Sequence, residues 1–148
     1  MKRIVEWMLA GIGAIMCVGG AASIWSSQVS PDSPDVSLWP LPALLLIEVA
    51  ILGLAGFSGM TLDNQQSSSR WGRLTWIACG ALTAFVIIGA YAVSVIVLVA
   101  VPALLFGSAA MLADIRQHRN MLTDLGLLTV SAIANLVLIF ALTSMTRL

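Results

Sequence analysis

Residues Leu74 to Ala113 read LTWIACGALTAFVIIGAYAVSVIVLVAVPALLFGSAAMLA, 40 positions without a charged side chain. As one helix this run would extend about 60 Å at 1.5 Å per residue, roughly twice the ~30 Å hydrocarbon thickness of a bilayer. It therefore has to double back. Near its centre Gly89-Ala-Tyr-Ala-Val-Ser94 offers a glycine, a headgroup-seeking tyrosine and a serine, which places a tight hairpin there. The hairpin divides the run into spans 74–90 and 95–113.

Three further apolar stretches flank this pair, at 4–26, 41–62 and 125–145. The connections between them are polar. Gln28 to Pro40 carries three prolines with repeated Ser and Asp, Asp63 to Arg73 is rich in Asn, Gln and Ser, and Asp114 to Asn120 holds two arginines. The sequence thus predicts an all-α integral membrane protein, a single domain over 1–148 built as a bundle of five transmembrane helices with short loops. Composition agrees: 59% of the 148 residues are hydrophobic and 9% charged, against about 45–50% and about 25% in soluble domains. Met1-Lys2-Arg3 precedes an apolar region reaching Trp25, longer than the ~7–15 residues of a cleaved signal core, so it reads as an uncleaved anchor.

Two independent patterns orient the spans. Lysine and arginine concentrate in short cytoplasmic loops, and five spans put Lys2, Arg3, Arg70, Arg73, Arg116 and Arg119 on one side, leaving Arg147 on the other. The N-terminus is thereby expected inside and the C-terminus outside. Counting the long run as one crossing would move Arg116 and Arg119 outward and weaken the bias. Tryptophan and tyrosine favour the headgroup layers. Trp7, Trp71 and Trp76 fall at the inner boundary and Trp25, Trp39 and Tyr91 at the outer, so all six are expected as interface anchors.

Helices in lipid associate through small residues and interhelical hydrogen bonds, because lipid tails are as apolar as leucine. Gly13, Cys17 and Gly20 with Ala10, Ala14 and Ala21 mark one such face. Ala55 and Gly59 below Glu48, Thr75, Cys79 and Thr83, and Ser131 with Asn135 mark three more. Pro102, mid-way along the fourth span, removes one backbone hydrogen bond and is a candidate kink.

Glu48 is the ionisable residue set well inside a span, about 10 Å along the helix from Leu41. A carboxylate in hydrocarbon is costly, so Glu48 should hold a proton, meet a partner on another helix or face a wet cavity. Asn135 and Ser131 form a polar step in the fifth span. With Glu48 they make a candidate intramembrane polar site, provided the helices bring them together. Glu6 and Asp124 lie near the inner boundary, where water is within reach, and call for no special role. Cys17 and Cys79 differ in depth by about 12 Å along their helices, too far for the ~7 Å limit of a disulfide. His118 belongs to a basic loop.

Chemistry-bearing motifs are missing from the sequence. Gly11-Ile-Gly13 has Met16 where a dinucleotide fingerprint needs its third glycine, and the chain holds no P-loop, H-E-x-x-H or G-x-S-x-G. Seven basic residues balance seven acidic ones, so nucleic acid is not an expected partner. No cofactor, metal site or enzymatic activity is expected. The leading expectation is a non-catalytic accessory or assembly subunit of a larger complex, in the cytoplasmic membrane, contacting lipid and either another membrane protein or itself through small-residue helix faces. The alternative is a small transporter or channel using Glu48 and Asn135.

Overall fold

A computed structural model of the chain describes residues 2–28, 41–66, 69–88, 93–118 and 120–145. These residues form α1 (Lys2–Gln28), α2 (Leu41–Gln66), α3 (Ser69–Ile88), α4 (Val93–Gln117) and α5 (Met121–Met145). Each holds a segment long and apolar enough to cross a membrane, which makes the chain an all-helical bundle of the integral-membrane type. Gln28–Pro40 beyond Gln28, with Trp39, and the centre of the 89–94 hairpin, with Tyr91, lie outside the described residues, as does Arg147. The doubling back is nonetheless fixed by its flanks: Trp76 on α3 hydrogen-bonds Asp114 on α4.

The helices outrun the apolar stretches. α2 continues to Gln66, α3 begins at Ser69 rather than Leu74, α4 continues to Gln117 and α5 begins at Met121. Hydropathy locates hydrocarbon, whereas i to i−4 hydrogen bonding proceeds through polar residues as readily as apolar ones. α4 stops at His118, whose φ of 53° is left-handed, as is common just past a helix C-terminus. Two residues on, the Asn120 carbonyl accepts the Thr123 N–H at 3.1 Å and opens α5.

α1, α2, α3 and α4 form a closed ring in chain order, with α2 and α4 touching across it, and α5 packs outside the ring on α3. Burial follows this plan. The apolar window of α3 is 56% buried and that of α5 only 11%, so α3 is the central helix and α5 the peripheral one.

The crossings are built on glycines. A Cβ at Gly53 would stand 2.5 Å from the Cβ of Cys17, one at Gly59 2.9 Å from the Trp71 carbonyl oxygen, and one at Gly80 would collide with the Leu128 carbonyl. These three positions bring α2 onto α1, α2 onto α3 and α5 onto α3. Inside the ring, the fully buried Phe106 of α4 seats its ring against Gly13 and Gly56, where added Cβ atoms would sit 3.3 and 2.9 Å from it. The expected α1 face is the buried one: Ala10, Gly13, Ala14, Cys17, Gly20 and Ala21 all point inward. On α2, Gly59 is buried but Ala55 is only partly so, and Gly53 and Gly56 carry the contact instead. Pro102 is buried within a continuous α4.

This arrangement separates glycines that hold the fold from glycines that do not. Gly80→Ala and Gly53→Ala are expected to destabilise the bundle by roughly 1–3 kcal/mol through overpacking. At Gly19 and Gly126 an added Cβ meets nothing within 4 Å, so alanine there should stabilise by about 0.5–1 kcal/mol. Thermal unfolding in detergent, followed by helical circular dichroism, reads both signs.

Candidate functional site

Polar side chains gather in two layers. The first is at the end of the bundle where α1, α3 and α5 begin and α2 and α4 finish, and it is organised by the last turns of α4. From there Asp114 accepts the Trp76 indole N–H of α3 at 2.9 Å, Arg116 donates to Glu6 of α1 at 2.9 Å, and the Gln117 amide donates to Asp63 of α2 at 2.9 Å. At about 100° per residue, positions 114, 116 and 117 of one helical turn point in three different directions around α4, so they can reach three different neighbours. α5 joins through Arg73 of α3 and Asp124, 4.0 Å apart with the arginine half exposed, a weak tie.

Four acidic groups in this layer are buried: Glu6, Asp63, Asp114 and Asp124. Glu6 and Asp124 were expected in reach of water, and both are instead covered by neighbouring helices. Glu6 is 0% exposed. Its Oε2 is held by Arg116, while its Oε1 is buried and accepts no hydrogen bond among the described residues. Trp76, expected as an interface anchor, is also inside, 5% exposed with its N–H on Asp114. Trp7 and Trp25 are exposed, as an interface role requires, and Trp71 is partly buried. Sequence reading missed this layer because a charge near a span end looks solvated, and Glu6 and Arg116 stand 110 residues apart.

The second layer lies deeper in the apolar region and unites the residues singled out from sequence. Ser131 Oγ donates to the Ile77 carbonyl at 2.8 Å, and Asn135 Nδ2 to the Ala81 carbonyl at 3.1 Å. Both acceptors belong to α3 and are already engaged in its own helix, so each uses its second lone pair. The parallel spacing, four residues on each helix, shows that α3 and α5 run in the same direction. The Asn135 side chain also lies close enough to the Glu48 carboxyl to interact with it. The two residues singled out from the sequence therefore lie near each other, on α2 and α5.

Between the layers the core is apolar. Along α2 from Glu48 to Asp63 come Gly53 against Cys17, then Gly56 against Phe106, with the fully buried Leu82 and Met60 close to the same cluster. Both cysteines are free and buried, and the Cys79 thiol donates to the Ala103 carbonyl at 3.2 Å. No group of three or more His, Cys, Asp or Glu side chains among the described residues is arranged to hold a metal ion. The chemistry available is hydrogen bonding between helices and charge pairing at one end.

The Glu6–Arg116 pair generates an asymmetric expectation. Removing the cation leaves a wholly buried carboxylate behind, so Arg116→Met should cost roughly 3 kcal/mol, whereas the double change Glu6→Gln with Arg116→Met should recover most of the loss. A double-mutant cycle on thermal unfolding in detergent measures the coupling. A loss in the double variant equal to the sum of the two single losses would show that the pair contributes nothing.

No protein-family model matches the chain, and neither a curated protein nor a solved structure shows significant similarity to it.

Proposed function

We propose that this chain is a non-catalytic accessory or assembly subunit of a larger complex in the cytoplasmic membrane, with its N-terminus inside and its C-terminus outside. The observation that carries the reading is the position of α5. It packs on α3 outside the ring and has 11% of its apolar window buried, yet it is anchored by Ser131, Asn135 and the Gly80 crossing. A helix held this firmly on one side offers its opposite side, with Val130, Ile133 and Val137 exposed, as a fixed surface. Lateral contact with a partner's helix is the use that suits it. The polar side chains support the same reading, since those in both layers are spent on neighbouring helices.

The orientation rests on the clustering of basic residues. Arg3, Arg73 and Arg116 lie at the end of the bundle where α1 begins, the arrangement that the positive-inside bias favours for a cytoplasmic face.

One observation favours the transporter alternative: Glu48 and Asn135 lie near each other within the membrane-spanning region, where ionisable residues commonly serve ion pathways. Against it stand the apolar layers at Gly53 and Phe106, between Glu48 and the charged end.

Three measurements test the proposal together. Tags on the two chain ends should report opposite compartments. Purification in mild detergent should bring along a stoichiometric membrane partner, and Ile133→Trp with Val137→Trp should lower its recovery about tenfold, equivalent to ~1.4 kcal/mol, without altering helical content. Liposomes holding the chain should pass no proton or cation current, with Glu48→Gln indistinguishable from the unaltered protein. A current that Glu48→Gln abolishes, in a chain that purifies alone, would replace this reading with the alternative.

A further inference from the structure

α1 and α2 enclose an apolar groove on the side of the bundle away from α5. It has a volume of about 510 Å³ and is lined by Gly11, Ile15, Val18 and Gly19 of α1 and by Leu54 and Phe57 of α2. Ile15 and Leu54 are exposed along it, so it opens to the surroundings and not to the core. The missing side chains of Gly11 and Gly19 create its depth: a Cβ at Gly11 would only touch Phe57 at 3.7 Å, and one at Gly19 would meet nothing.

A second hollow of about 430 Å³, lined by Arg3, Ile4, Trp7 and Met8, lies toward the start of α1. The Trp7 ring that lines it packs edge to face on Phe57, which lines the groove, with centroids 5.8 Å apart. Arg3, Trp7, Gly11, Ile15 and Gly19 recur every four residues, one inclined ridge row of a helix. Arg3 opens the membrane-spanning segment of α1, at headgroup depth, with Trp7 one turn deeper where an interfacial indole belongs. From Gly11 to Gly19 the groove runs about 12 Å, close to the ~15 Å of one hydrocarbon leaflet.

Charge decides the occupant. Arg116 and Arg73 are paired with Glu6 and Asp124, whereas Arg3 is exposed and forms no ion pair among the described residues. An unneutralised guanidinium at the mouth of an apolar slot is complementary to a phosphate with a hydrocarbon chain behind it. We infer that this groove is a binding site for one anionic phospholipid, its phosphate on Arg3, its glycerol region beside Trp7 and one acyl chain laid along Gly11 to Gly19 against Phe57. The site lies across the ring from α3 and is independent of the role proposed for α5.

The full chain in mild detergent is titrated with dioleoyl phosphatidylglycerol and separately with dioleoyl phosphatidylcholine, and adducts are counted by native mass spectrometry. One phosphatidylglycerol per chain is expected, bound about fivefold more tightly than phosphatidylcholine, the preference that one basic residue at a headgroup provides. Arg3→Gln should erase the preference and Arg3→Lys should keep most of it. Gly11→Leu with Gly19→Leu, which fills the groove without meeting backbone, should lower binding of both lipids several-fold while helical content is unchanged. Should that variant misfold, the Arg3 pair alone decides. Inorganic phosphate at millimolar concentration should not displace the lipid. Equal binding of the two lipids, a preference that survives Arg3→Gln, displacement by phosphate, or unchanged binding in the folded groove-filled variant would each overturn the assignment. So would a dimer of this chain that the leucine substitutions dissociate, since a second copy would then occupy the groove.

Discussion

Water drives apolar surfaces together, but hydrocarbon does not, so a helix bundle in lipid holds where backbones come close enough for dense packing and for side chains to reach a neighbour's carbonyl. α3 is where both conditions are met most often. Gly80 admits α5, Gly59 of α2 admits α3, and Gly107 of α4 faces the Cys79 sulfur. At the same contacts Thr75 donates to the Gly56 carbonyl at 3.1 Å, Cys79 to Ala103, and Ser131 and Asn135 to Ile77 and Ala81. Interhelical hydrogen bonds of this kind average about 0.6 kcal/mol each. They matter here because each coincides with a close approach, so packing and polarity select the same register.

The two polar layers use the same side-chain chemistry for different ends. In the deeper layer, neutral amide and hydroxyl donors meet carbonyls, with the Glu48 carboxyl close to Asn135. In the other layer, buried carboxylates are held by donors from different helices, Glu6 in an ion pair and Asp63 and Asp114 by neutral N–H groups. A buried ion pair is a poor source of net stability because desolvation offsets most of the attraction. Its effect is on specificity: Glu6 has a suitable partner only if the end of α4 lies beside the start of α1. α4 carries the matching groups for α1, α2 and α3 within one helical turn, so a rotation of α4 would break all three contacts together.

The spans were legible because hydropathy and length answer to a single constraint, the thickness of hydrocarbon. The buried face of α1 was legible for a related reason, since Gly13, Cys17 and Gly20 with their alanine neighbours line one side of the helix with small residues suited to a close crossing. Helix neighbours were not legible. α5 is the most apolar of the five spans, with a mean hydropathy of 2.4 against 1.5–2.0 for the others, but that composition does not name its neighbour. The pairing of Leu128 with Gly80 and the Ser131 and Asn135 hydrogen bonds place it on α3. Trp76 and Glu6 misled for one reason: residues near a span end can turn outward to the interface or inward to a partner, and the partners, Asp114 and Arg116, come from a distant part of the chain.

The same logic separates the outer surfaces of the bundle. α5 presents Val130, Ile133 and Val137 outward, with an apolar hollow of about 440 Å³ beside Val137 that Leu136, Phe140 and Ile88 of α3 share. α1 and α2 present a recess of another kind, because Gly11 and Gly19 are not used to bring a neighbouring helix close. Gly53, Gly59 and Gly80 are each accounted for by a backbone or side chain that occupies the missing volume. Where glycine is unfavourable within a helix and no part of the chain fills the space it leaves, the space itself is the feature to be explained. A ligand with one narrow apolar chain and one negative charge matches both the groove and the arginine at its mouth.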